Sequence, residues 1–187
     1  TLESKLRFHY SCQLKLEPED RGRIKEVQKY EARKNHMKNP VDGKTFYQNG
    51  TLFHGPTFQG IKQLQNLDQS GLSLKCSLPD LKNSDLGSFS KAPISPMVLD
   101  LGYQAMLIWA RKHYDSASLP LSTKQSKHFS VPVPNQEFFI HLEVTDHNSN
   151  RVSGNIIFHD QDSVIFSRMD GAEVTLSKKL NAIFTSA

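Results

Sequence analysis

The feature that most constrains this chain is the stretch ISPMVLDLGYQAMLIWARKHY, residues 94–114. From Met97 to Trp109 its side chains are apolar, aromatic or absent, except for Asp100 and Gln104. Ser95 and Pro96 fit an N-cap and a first helical turn, so the segment predicts a long helix with almost no polar face. Such a helix must be wrapped on several sides to be stable in water. A carboxylate in its middle therefore needs an explanation. At i and i+4, Asp100 and Gln104 lie on one face, where the amide can hydrogen-bond the acid and fix its rotamer. An ionised carboxylate alone in an apolar site is costly, and the usual outcome is a raised pKa and a neutral acid. A positioned neutral acid suits general acid catalysis. A structural Asp satisfied by Gln104 and the helix N-terminus is the competing reading.

Residues that can wrap the helix follow it. HFSVPVP, EFFIHLEVTDH, RVSGNIIFHD, SVIFSRMDG and AEVTLSKKL alternate in hydrophobicity, with Asp-His-Asn-Ser-Asn, Asp-Gln-Asp and Asp-Gly between them as turns. Before the helix, QLQNLDQSGLSLKCSLP reads as a strand with a Ser-Gly interruption, and GKTFYQNGTLFHGPTFQGI as a short helix leading into a constrained loop. With no βαβ rhythm, Gly-rich phosphate loop or fixed-period repeat, the expectation is an α+β fold, one buried helix wrapped by five or six antiparallel strands.

Residues 5–16 alternate as a half-buried strand, and residues 17–44 read as a charged connector, helical over about 19–34. The lysines and arginines of residues 21–44 account for most of the net charge of +4. They carry no interleaved aromatics, zinc-finger or helix-turn-helix pattern, so no nucleic-acid partner is expected. Two cysteines, Cys12 and Cys76, are too few and too distant for a disulfide framework or zinc site. With no apolar run near the roughly 18–20 residues that cross a bilayer, no membrane association is expected, and the compartment is read as cytoplasmic. His141, Glu143 and Asp146 alternate along one strand side, which is read as an exposed polar face rather than a metal site. His113 and His128 are read as surface residues.

Three separated pieces resemble the polyketide synthase dehydratase family: FYQNGTLFHGPTFQGI its tyrosine, glycine and GPxF loop, SPMVLDLGYQ its LDxxxQ helix, and LPLS its LP turn. HYSCQLKL resembles the last strand of the family's first half. Iterative and polyunsaturated-fatty-acid-type synthases look the closer relatives. The resemblance implies a hot-dog fold, half of a double hot dog, with residues 1–16 left from a preceding unit, 17–44 a linker and 45–187 the second hot-dog domain. It also implies removal of water from a 3-hydroxyacyl thioester, giving a trans-2-enoyl thioester, on the phosphopantetheine of an acyl carrier protein. Asp100 matches the general acid, Gln104 its orienting partner and Tyr47 a tyrosine of the site. His54, Gly55, Pro56 and Phe58 match the loop that lines the acyl tunnel. No cofactor of its own and no metal is implied; the partners are the carrier protein and either the missing N-terminal half or a second copy. The family's catalytic histidine lies in HxxxGxxxxP, and none of the eight histidines here stands in that pattern. A non-catalytic module that positions an acyl chain, or a product-template cyclase, isomerase or thioesterase, are the alternatives.

Overall fold

The computed structural model describes residues 11–16, 28–31, 37–81 and 94–185. One antiparallel sheet of seven strands runs in the order β1-β2-β3-β5-β6-β7-β4. Its members are β1 (Val41–Asp42), β2 (Ile61–Asp68), β3 (Gly71–Ser77), β4 (Ala117–His128), β5 (Glu137–Asn148), β6 (Arg151–His159) and β7 (Ile165–Ser177). Helix α1 (Lys44–Gln48) and a 3-10 turn (Pro56–Phe58) precede β2, α2 (Pro96–Tyr114) joins β3 to β4, and α3 (Lys179–Thr185) follows β7.

Helix α2 packs against this sheet and contacts β3, β4, β5, β6 and β7. Its middle is buried all round: Leu101, Ala105, Met106, Leu107, Ile108, Trp109 and Ala110 are 3% exposed or less. Facing them are the inward residues of alternating strands, among them Leu74, Phe138, Ile140, Val152, Phe158 and Val174. Each large apolar side chain buried this way contributes about 1.5–3 kcal/mol. Gly102 makes the close approach possible, since a Cβ there would stand 2.9 Å from the Phe158 ring. The indole of Trp109 donates to the Asp68 carbonyl at 2.9 Å, tying the helix to the end of β2. Pro96 stands at the start of α2 as expected, and Ser95 has the extended backbone of an N-cap, but its hydroxyl makes no capping hydrogen bond.

Several local expectations are corrected. The Ser-Gly step interrupts no strand; it turns one into a hairpin. Asp68 Oδ1 accepts from the Ser70 amide and hydroxyl at 2.8 and 2.6 Å, and Gly71 follows at φ +150°. Asp170-Gly171 makes no turn: β7 continues through it, with Gly171 at φ +60° donating to Asn155 Oδ1 at 3.0 Å while the Lys124 side chain passes over it. The Leu-Pro step is likewise no turn but part of β4, which shifts register between Pro120 and Ser122. The strand expected around HFSVPVP starts earlier, so only His128 of that stretch lies in β4.

The amino-terminal expectations change as well. Of the half-buried strand at 5–16, residues 5–10 lie outside the described residues, and 11–16 are exposed and form no strand. The helix expected at 19–34 falls mostly outside them too. Its described part is extended instead: Lys29 bridges Val164, the Tyr30 amide donates to the Ser163 carbonyl at 2.9 Å, and the Ile165 amide donates to Gln28. Among the described residues, the first strand of the sheet is Val41–Asp42, paired with Leu64 and Gln63.

That strap covers an outward-facing pair of histidines. Tyr30 stacks on His141 and His159, with ring centroids 4.3 and 5.1 Å away. His141 is thus no member of an open polar face. His113 and His128 are not free surface residues either. His113 packs on Trp109, and the Nδ1 of His128 meets the Ser167 hydroxyl at 2.8 Å.

Candidate active site

The amino-terminal third of α2 meets the loop between α1 and β2, and their polar groups converge on Gln104. This amide is 1% exposed. Its Nε2 donates to Asp100 Oδ2 at 2.7 Å and to the Phe58 carbonyl at 2.9 Å, while its Oε1 accepts from the Tyr47 hydroxyl at 2.8 Å. Tyr47 Oη in turn accepts from the Ile61 amide at 3.2 Å. A buried amide with its carbonyl and both N–H groups engaged has one orientation, so the carboxylate it holds has one rotamer.

The loop reaches Gln104 because of its own chemistry. Gly43 packs under β2, where a Cβ would stand 2.2 Å from the Ile61 carbonyl oxygen. Helix α1 then carries Tyr47 inward, and Gly55 and Pro56 start the 3-10 turn that aims the Phe58 carbonyl at the helix. The Gln59 side chain closes the loop by donating to the His54 carbonyl at 2.9 Å. At Gly60 a Cβ would stand 2.8 Å from the end of the Leu101 side chain and 3.0 Å from the Ser77 carbonyl oxygen, so glycine lets the loop lie close to α2 without displacing either.

Asp100 is not sealed in the core as the sequence implied. Its side chain is 29% exposed, and both of its side-chain contacts among the described residues fall on Oδ2. The second is His54, whose Nε2 stands 3.4 Å away with the ring 13% exposed. Burial raises Tyr47 well above the ordinary tyrosine range, which keeps the phenol a neutral donor.

Of the residues singled out in the sequence, Asp100, Gln104, Tyr47 and His54 come together here. Phe58, 36% exposed, joins them through its carbonyl, and Gly55 and Pro56 start the turn that carries it. Sequence reasoning missed the Phe58 carbonyl and the Ile61 amide, since backbone groups leave no residue signature.

A family model described as the polyketide synthase dehydratase N-terminal domain matches residues 27–182. The chain belongs to the polyketide synthase dehydratase family. One polyunsaturated fatty acid synthase subunit, from Thraustochytrium sp., is 32% identical to it over 138 residues, 68% of this chain and 5% of that one. Among solved structures, the dehydratase domain from the CurF module of the curacin polyketide synthase superposes with a TM-score of 0.64 at 18% identity. That match covers 82% of this chain and 54% of the other. A trans-AT polyketide synthase dehydratase domain from Brevibacillus brevis gives 0.60 at 20% identity, covering 75% and 49%. These likenesses identify the fold as the hot dog, here an open seven-stranded sheet packed on one helix. This dehydratase-family chain spans about half the length of the solved domains it matches. Among the described residues, no helix is long and apolar enough to cross a membrane.

Proposed function

We propose that this chain is the aspartate-bearing hot-dog half of a dehydratase within a larger polyketide or polyunsaturated fatty acid synthase. The substrate is a 3-hydroxyacyl thioester on the phosphopantetheine of an acyl carrier protein. The observation that carries this reading is Asp100, held through Oδ2 by a buried amide while its other oxygen meets no side chain among the described residues and part of the side chain reaches solvent. In the reaction the Cα–H and Cβ–O bonds break and a trans C=C bond forms. Asp100 gives its proton to the departing hydroxyl, which leaves as water, and a base takes the Cα proton and passes it through solvent back to Asp100 before the next turnover. Gln104 and Tyr47 act by holding the carboxyl, and the Gly55–Phe58 turn borders the approach of the acyl chain.

The base is expected from the other hot-dog half, because no histidine of this chain stands in HxxxGxxxxP. Coverage of 49–54% of the solved dehydratase domains supports a missing half of similar size. The matching family model is described as an N-terminal domain; the assignment to the second half rests instead on the LDxxxQ segment Leu99–Gln104 and the GPxF turn.

The test is Asp100→Asn in the full synthase polypeptide, given a 3-hydroxyacyl thioester and followed by mass spectrometry. Asn is nearly isosteric and can still accept from Gln104, so the melting temperature should hold while turnover falls by about 10²-fold or more, as expected for removing a general acid. Near-normal turnover in a stable variant would overturn the assignment.

A further inference from the structure

We infer that His54 is a positioning residue for Asp100: with Gln104 it occupies one carboxyl oxygen, so that the transferable proton stands on the other. The inference rests on the dehydratase reading above and adds a residue to it.

The geometry is asymmetric. Gln104 Nε2 and His54 Nε2 both approach Oδ2, at 2.7 and 3.4 Å. An oxygen facing two N–H groups has no room for a hydrogen of its own, so a protonated Asp100 carries it on Oδ1. Once that proton has left, the same two donors face the carboxylate that remains.

The state of the imidazole follows from its other nitrogen. His54 Nδ1 is buried without a hydrogen-bond partner among the described residues. An imidazolium would place an N–H there with nothing to accept it, and so would the neutral tautomer protonated on Nδ1, which would also turn an Nε2 lone pair toward the carboxyl oxygen. The form that fits is neutral, with the hydrogen on Nε2, the nitrogen 3.4 Å from Asp100 Oδ2, and the Nδ1 lone pair turned inward. The ring is held there by stacking on Phe53, with centroids 4.4 Å apart, and by the bond from Gln59 to its own carbonyl. At 3.4 Å the contact is longer than a hydrogen bond, and for His54 to act this way it must shorten in the reacting complex, as catalytic hydrogen bonds do. The same reasoning removes His54 as the α-proton base. Its Nε2, on the Asp100 side, carries a hydrogen, and its bare Nδ1 is buried.

The experiment is kinetic, on the full synthase polypeptide. His54→Phe keeps a ring on Phe53 and deletes the donor; His54→Asn is too short to reach Asp100 and adds no bulk; His54→Gln retains an N–H. The first two should lower kcat about 10-fold, the scale of one hydrogen bond to a charged group, with KM and melting temperature held. They should also move the alkaline limb of the pH–rate profile upward, because an acid that has lost a donor to its carboxylate gives up its proton less readily. His54→Gln should recover much of both. An unmoved limb in His54→Phe and His54→Asn, or a kcat loss that follows melting temperature and is not rescued by Gln, overturns the inference. If Asp100→Asn is inactive while the His54 variants are normal, only the His54 role falls; if Asp100→Asn is active, the dehydratase reading falls with it.

Discussion

Asp100 and Gln104 were legible in the sequence because a helix turns i and i+4 onto one face, and the expected bond between them is present at 2.7 Å. What fixes Gln104 was not legible. Tyr47 is 57 positions away and the Phe58 carbonyl 46, and nothing local to either residue states the distance they will span. The consequence is a difference between substitutions that sequence alone ranks by chemistry. Gln104→Leu strands the Tyr47 hydroxyl and the Phe58 carbonyl beside an apolar side chain. At about 1–3 kcal/mol for each buried group left unpaired, it should lower the melting temperature more than Asp100→Asn does. Tyr47→Phe should show an intermediate loss of about 1–3 kcal/mol in denaturant unfolding, since it strips partners from Gln104 Oε1 and the Ile61 amide. Equal unfolding midpoints for all three variants would mean that the network carries no stability.

The alternation of β5, β6 and β7 gave those strands away, whereas their punctuation misled. A glycine in a strand marks either a turn or a bulge, and the partner strand decides: Gly71 begins a strand against Leu142 and Glu143, while Gly171 bulges toward Asn155. The strand partners also determine what the paired histidines do. The Asp160 carbonyl can only accept, so it takes the Nδ1–H of His159 at 2.7 Å, leaving His159 Nε2 to accept from His141 at 2.9 Å. His141 Nδ1 then accepts from the Ser73 hydroxyl at 2.8 Å. The run is satisfied with both rings neutral, and two added protons would set N–H against N–H. Burial holds His159 below the ordinary histidine range, outweighing the opposing pull of the Asp160 carbonyl and carboxylate; burial lowers His128 too. A histidine whose pKa is lower folded than unfolded takes up protons preferentially on unfolding, so stability is full above the unfolded value of about 6.5 and declines as pH falls through it. Melting temperatures between pH 7.5 and 5.5 should fall toward acid, and His159→Gln should flatten the slope. A wild-type melting temperature constant across that window would show that the pair is not coupled to folding.

On the scale of the whole molecule, an antiparallel sheet around a buried helix was readable because the period changes so sharply after Tyr114; which edge would remain open was not. Among the described residues, strand β4 closes one end of the sheet and pairs with β7 alone. In this strand and the segment after it the chain exposes Leu119, Leu121, Phe129, Val131 and Val133, at 38–61%. An unpaired edge next to exposed apolar side chains is a surface prepared for pairing. Alone, the chain should therefore self-associate or take up its other half, giving a concentration-dependent mass by light scattering and binding of an apolar dye that is lost on association. A monodisperse monomer at high concentration without dye binding would contradict this.

The pairing of β4 also imposes an order on synthesis. Ala117 leaves the ribosome well before its partner Ser177, with β5 and β6 made between them. At about 5–20 residues per second the strand after the helix waits for seconds with neither edge paired. During that interval the helix, the acid and the loop that orients it are already made, while the sheet meant to cover them is still incomplete. A nascent chain stalled before β7 should therefore hold chaperone on β4, and one released after Ser177 should let it go.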